Sequence, residues 1–251
     1  MIALIVIIFG LVFGSFITMA SHRLPRDEEM VRTPSHCPNC STALTFQDLW
    51  PLFSWILSKG KCRHCEVKIS ARYPLTEIVT AATFYLIYAT HGITPLAVVL
   101  MLMSVALLIM IVVDLEHFII PDEIHFFLLP LGLVYHYVSG SDWLEVAISF
   151  ALGGGLGLLL HYGYKWVRKK DGLGFGDVKF LAVAGLWLTL PLFPAFLFLS
   201  GVLGVATGLL WRVLGRGPIF PFGPALAMSL FLCAAYPDQF NILENINLIS
   251  N

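Results

Sequence analysis

The sequence predicts an all-α polytopic membrane protein with about eight transmembrane helices, and three observations carry that prediction. Of 251 residues, 58% are hydrophobic and only 12% are charged, against about 25% charged in an ordinary soluble domain. The apolar residues collect in runs that approach the roughly 20 residues needed to cross a ~30 Å hydrocarbon core. The Lys and Arg residues collect between those runs, as they do on the cytoplasmic side of membrane proteins. A net charge of −1 gives no support to nucleic-acid binding, and topology explains the one basic loop better.

Taken in order, Met1–Ala20 is uncharged and the basic residues follow it. That order is wrong for a cleaved signal peptide and suits a first span. Residues 21–73 are hydrophilic and rich in Cys, Arg and Lys. Further apolar runs cover 74–90, 95–113, 124–138, 143–164, 178–190, 192–211 and 219–236. The expected organisation is a first helix at 1–20, a loop domain at 21–73, a helical membrane domain at 74–236 and a short periplasmic tail at 237–251.

Basic residues orient these runs. Arg23, Arg26, Arg32, Lys59, Lys61, Arg63, Lys68 and Arg72 lie in the first loop. Lys165, Arg168, Lys169, Lys170 and Lys179 lie between the fifth and sixth runs, and Arg212 and Arg216 between the last two. With eight spans all three segments share one side, which is cytoplasmic, and both termini face outward. An odd number of spans scatters the same residues over both faces.

Within the fifth run, Gly153, Gly154, Gly155 and Gly157 read as small residues that let transmembrane helices approach closely. Nothing around them resembles the strand–turn–helix of a nucleotide-binding loop. His91, His125, His136 and His161 sit near helix ends and read as packing or interface residues.

In the first loop, Cys37-Pro38-Asn39-Cys40 and Cys62-Arg63-His64-Cys65 are two C-x-x-C knuckles separated by 21 residues. Four thiolates at this spacing suit a tetrahedral zinc ion, with one knuckle on each side. A cytoplasmic loop disfavours disulfides, and a redox pair needs only one knuckle in a βαβ setting. With four protein ligands, no position is left open for water, so the expected zinc is structural. Cys233, alone in an apolar run, reads as a small buried hydrophobe.

Acids inside or bordering spans are costly and mark function. Asp122 and Glu123 follow Pro121 at a helix start, where the dipole favours them. Asp177 is also near a helix start. Asp114 instead closes the run 96–113, at a helix C-terminus, where a negative charge is unfavourable. No basic residue accompanies it in the following turn. The third run ends, and the sixth begins, at the cytoplasmic face, so Asp114 and Asp177 are expected to meet there. A close carboxylate pair can divide the work of base and acid in peptide hydrolysis. The glycines before Asp177 allow an extended substrate to approach the backbone.

These motifs resemble those of the bacterial type IV prepilin peptidases, bifunctional leader peptidases and N-methyltransferases. Gly174-Phe175-Gly176-Asp177-Val178-Lys179 is similar to the family's G-x-G-D-x-K signature, and Asp114 through Pro121-Asp122 to its D-x(6)-P-D segment. Gly14-Ser15-Phe16 with Arg23-Leu24-Pro25 resembles its amino-terminal motif, although Thr18-Met19 departs from the Asn-Val expected there. The paired knuckles and Ile69–Pro74 through Glu77 resemble its cytoplasmic domain.

The resemblance implies catalytic Asp114 and Asp177, with Gly174, Gly176, Lys179 and Asp122 binding substrate or supporting the pair. It implies an inner-membrane enzyme of type IV pilus or type II secretion systems. Such an enzyme cuts the basic leader from prepilins or pseudopilins, then methylates the new amino terminus with S-adenosylmethionine. Two other readings use the same residues: an ion-coupled transporter, with the acids along a pathway, and a zinc-dependent membrane scaffold.

Overall fold

The structure, a computed structural model, describes residues 1–30, 32–169, 174–217 and 219–240. Lys170, Gly172, Leu173 and residues 241–251 of the expected tail lie outside them. Among the described residues the chain is all-helical and has no strand. Its α-helices are α1 (Ile2–Arg23), α2 (Phe53–Leu57), α3 (Arg72–His91), α4 (Pro95–His117) and α5 (Asp122–Ser139). They continue with α6 (Trp143–Arg168), α7 (Phe175–Trp187), α8 (Phe193–Val213), α9 (Gly223–Ala235) and α10 (Pro237–Phe240).

Each of the eight apolar runs carries one helix of at least 13 residues. Four helical stretches are long and apolar enough to cross a membrane: Ile2–Arg26, Pro95–His117, Trp143–Arg168 and Phe193–Val213. The rest differ for physical reasons. Helices α7 and α9, at 13 residues each, reach only about 20 Å at 1.5 Å per residue. Helix α3 contains Arg72 and Glu77, and α5 opens on Asp122 and Glu123.

The chain divides into two compact units, residues 1–97 and 98–251. In the first, α1 and α3 pack antiparallel at backbone distance. Gly10 faces Ala81 and Gly14 faces Glu77, and a Cβ on either glycine would strike the facing Cα. Small residues at such a crossing let van der Waals packing hold the pair.

At the end of α1, Arg23 is buried at 6% exposure. Its Nη1 donates to the carbonyls of Glu29 (3.0 Å) and Met30 (3.3 Å). Its Nη2 donates to those of Thr33 (2.9 Å) and Pro34 (3.4 Å). One guanidinium therefore gathers the chain that leads to the first knuckle.

In the second unit α7 is the central strut. Eight of its 13 residues are buried, on every side, as expected of a helix enclosed by others. Trp187 Nε1 donates to the Leu128 carbonyl of α5 at 3.0 Å. His136 bonds the Leu186 carbonyl and, at 2.9 Å, Ser141 Oγ. Tyr135 donates to the Ala234 carbonyl of α9 at 3.1 Å.

On its other side α7 meets α6 through the predicted glycines. A Cβ on Gly153 would collide with the Leu181 carbonyl oxygen, and one on Gly157 would press on Val178 at 3.1 Å. Gly154 has ordinary contact distance, and Gly155 has nothing within 4 Å. Two of the four glycines thus make the close approach. Gly153→Val should lower the thermal unfolding midpoint of the purified protein, with a cost of about 1–3 kcal/mol. Gly155→Ala should leave the midpoint unchanged in the same melt.

Candidate functional site

The second unit brings the acids and glycines of the two motifs together. Asp114 lies in the last turn of α4, and α4 closes on Phe118 in the left-handed region (φ 57°), with the Phe118 N–H bonded to the Asp114 carbonyl. The Asp114 side chain is buried at 5% exposure. Its Oδ2 accepts the N–H of Gly223 at 2.7 Å. Gly223 opens α9 and is followed by Pro224, so the carboxylate sits on the free amides and positive end of a helix.

This partner alters one expectation. Asp114 is badly placed for its own helix, yet α9 supplies the compensation from 109 residues away. Glycine is needed there, because a Cβ on Gly223 would stand 2.6 Å from Asp114 Oδ2. No side chain advertises this donor. The signal available is Gly223-Pro224 itself, since proline in a first helical turn marks a start with unsatisfied N–H groups.

Asp177 is the third residue of α7, whose N-cap is Gly174. It is half-buried and reaches back to accept a backbone hydrogen bond from Gly174, as the acid of a capping box does. The carboxyl groups of Asp114 and Asp177 lie within electrostatic reach of each other, although 63 residues separate them.

The segment between Asp114 and Asp122 meets the glycine motif at two points. Ile120 packs on Gly176, where a Cβ would meet it at 3.2 Å. Lys179 Nζ donates to both carboxylate oxygens of Asp122, at 2.7 and 2.9 Å. Their side chains are 39% and 54% exposed, so the pair is worth at most about 1 kcal/mol and aligns the two motifs more than it stabilises them. His125 is buried at 5% exposure, with Nε2 3.2 Å from the Gly176 carbonyl and its ring edge-on to Phe180. Its link to the glycine motif escaped the sequence reading, which gave all four histidines packing roles without naming partners.

In the first unit, Cys37, Cys40, Cys62 and Cys65 converge, with their sulfurs all within 4.8 Å of one another. Cys37 and Cys65 are 3.9 Å apart, close to the roughly 3.8 Å edge of a tetrahedron with 2.3 Å metal–sulfur bonds. The two knuckles share one backbone pattern. The Cys37 N–H bonds to the Thr42 carbonyl and Ser41 N–H to the Cys37 carbonyl; Cys62, Val67 and Glu66 repeat both bonds. Ser41 and Glu66 are each left-handed, at φ 55° and 58°.

Amides and a hydroxyl favour the thiolate at Cys40 and Cys62, whereas at Cys37 the Cys40 amide is outweighed by burial and the Cys40 and Cys62 thiols, which hold it above its usual value. The Thr42 hydroxyl and amide beside Cys40 bring its thiol down to about 6, and the His64 and Cys65 amides hold Cys62 below its usual value. A thiolate is the metal-ligating form, so the donor set fits a closed four-sulfur metal site. Cys233 is buried and unbridged.

Two domain families match this chain: the bacterial peptidase A24 N-terminal domain over residues 8–91 and the type IV leader peptidase family over residues 101–209. The prepilin leader peptidase/N-methyltransferase of Aeromonas hydrophila is 31% identical, over 94% of this chain and 91% of its own length. That of Aeromonas salmonicida is 32% identical over the same shares. That of Pseudomonas aeruginosa is 31% identical over 93% and 90%. No solved structure matches. With both domain families matched in order and nearly the full length shared with these enzymes, the chain belongs to the type IV leader peptidase family.

Proposed function

We propose that this membrane protein is an aspartic prepilin peptidase and amino-terminal methyltransferase. The observation that supports the peptidase half is that Asp114 and Asp177 lie within electrostatic reach of each other, each bonded to a backbone amide. In a close carboxylate pair one member keeps a proton that the other lacks. The ionised member takes a proton from water as that water attacks the scissile carbonyl carbon. The protonated member donates to the carbonyl oxygen. When the tetrahedral diol collapses, the leaving nitrogen takes the proton held by the pair as the C–N bond breaks. One hydroxyl of the diol gives its proton to the other carboxylate as the C=O re-forms, so the pair again holds one proton.

Gly174, which is exposed, leaves room for an extended substrate backbone. Gly176 supports the site by accommodating Ile120, and the Asp122–Lys179 pair with His125 keeps the glycine segment in register. The substrate class, a prepilin or pseudopilin with a basic leader, comes from the names and family of the relatives. Cleavage exposes the amine that methylation requires, so methylation follows cleavage. S-adenosylmethionine, when bound, would supply the methyl group for that amine.

The four cysteines hold a structural zinc, residues 21–73 form its cytoplasmic domain, and residues 74–236 form the peptidase domain. The membrane arrangement proposed with this function is eight spans in the bacterial inner membrane. The distribution of Lys and Arg supports it and puts the acids at the cytoplasmic face.

Purified Asp114→Asn and Asp177→Asn variants should each lose at least about a hundredfold in prepilin cleavage, with Asp122→Asn losing less; near-normal turnover by either of the first two ends the dyad mechanism. Metal analysis should find about one zinc per chain. Replacing all four cysteines by serine should remove it, and unchanged zinc would reject the ligand set. Alkaline phosphatase fused after Asn251 should be active, whereas activity of a cytoplasmic reporter at that point contradicts eight spans.

A further inference from the structure

The first unit encloses a cavity of about 430 Å³ that neither the peptidase acids nor the sulfur bonds to a metal account for. Its size lies within the roughly 300–1,000 Å³ of small-molecule sites. Ser15 and Thr18 of α1 and Tyr73 and Glu77 of α3 line it from the helix pair, and the knuckle loop supplies Trp55. Cys37 and Cys62 also border it, so the metal-binding loop forms one of its walls.

Two features mark this cavity as built. Glu77 is buried at 6% exposure in a helix of largely apolar residues, where an acid calls for a function. Its Oε2 accepts the Leu52 N–H at 2.6 Å, and Ser15 bonds the same carboxylate. Leu52 has φ 60° and ψ −50°, with the Phe53 N–H closing back on the Pro51 carbonyl at 2.6 Å. That is the rare, strained form of γ-turn, which persists only where its surroundings enforce it. Here Glu77 does the enforcing.

The strained turn launches α2, and α2 carries Trp55. Trp55 Nε1 donates to the Ile69 carbonyl at 3.3 Å. Against its indole lies Gly60, at φ 67°, where a Cβ would stand 3.0 Å from Cζ2. The ring is thus held from two directions yet stays half-buried on the cavity. A pre-positioned indole favours a flat heteroaromatic ring and a cation. The lining also carries Arg23 and Arg63, but Arg63 pairs with Asp48 at 3.3 Å and Arg23 is taken up by backbone carbonyls, which leaves Glu28 and Glu77 for a cation and Lys61 and Lys68 for a carboxylate.

A ligand that combines a purine, a positive sulfur and an amino-acid end matches all of these. We propose that this cavity is the methyl-donor site, with S-adenosylmethionine stacked by its adenine on Trp55 and its positive sulfur drawn by the neighbouring carboxylates. The assignment rests on the methyltransferase half of the function proposed above.

The test is equilibrium dialysis of radiolabelled S-adenosylmethionine against full-length detergent-purified enzyme, without pilin. Trp55→Ala should raise Kd at least tenfold and Trp55→Phe less than threefold, with zinc content unchanged in both. Ultraviolet crosslinking of the labelled donor to unmodified enzyme provides a measurement that needs no variant, and the label should fall within residues 46–77. Label confined to residues 98–240, or a Trp55→Ala variant that binds as wild type does, overturns the site while methylation of processed pilin by wild type keeps the broader function standing. A wild type that cleaves prepilin but neither binds the donor nor methylates overturns both.

Discussion

A carboxylate enclosed by apolar helices has no water to solvate it, so protein groups must supply its hydrogen bonds. The second unit meets this demand with main-chain amides at helix starts. Asp114 takes the first amide of α9, and Asp177 takes the amide that precedes its own helix. Much of the unit follows from those two bonds. The end of α4 has to reach the beginnings of both α7 and α9. Helix α7 cannot drift along its axis without withdrawing Asp177, and α6 holds it at backbone distance through Gly153 and Gly157. From the opposite side, α5 fixes it with His136, Leu128 and His125.

The first unit meets a comparable demand by other means. Its polar loop is too short in apolar residues to build a large core of its own, so its order comes from a few strong nodes. Arg23 collects four carbonyls, the sulfurs collect both knuckles, and Glu77 draws a strained turn onto the α1–α3 pair. Each node joins a helix end or a cysteine to backbone groups that are otherwise unsatisfied. Loss of one would free a segment without unravelling the antiparallel helices, which Gly10 and Gly14 hold in direct contact.

What was legible in the sequence was whatever a side chain announces. Long apolar runs located the helices, and paired C-x-x-C spacing located the sulfur cluster. The misfit of Asp114 at a helix end singled it out, although the conclusion that helix energetics gave it no home was incomplete. Gly223 was not legible, because its contribution is a peptide N–H that every residue but proline possesses. Glu77 was visible only as the end of a family-like stretch, and its burial was hidden for a different reason: an acid near the start of an apolar helix looks like a flank until the fold buries it. The apolar runs at α7 and α9 carry helices of only 13 residues each, a length the runs did not announce. Enclosure by other helices selects the same apolar composition as lipid does, and only length separates the two cases.

The twin knuckles carry a consequence for how such a chain can change over time. Each closes its own pair of backbone hydrogen bonds within six residues, from Cys37 to Thr42 and from Cys62 to Val67. Neither pair depends on the stretch between them, residues 43–61, which holds Leu52 and Trp55. Substitutions or insertions in that stretch can reshape the cavity wall while the sulfur geometry stays fixed. Sulfur geometry and cavity shape are therefore separable traits, and a lineage can drift in the second without risking the first.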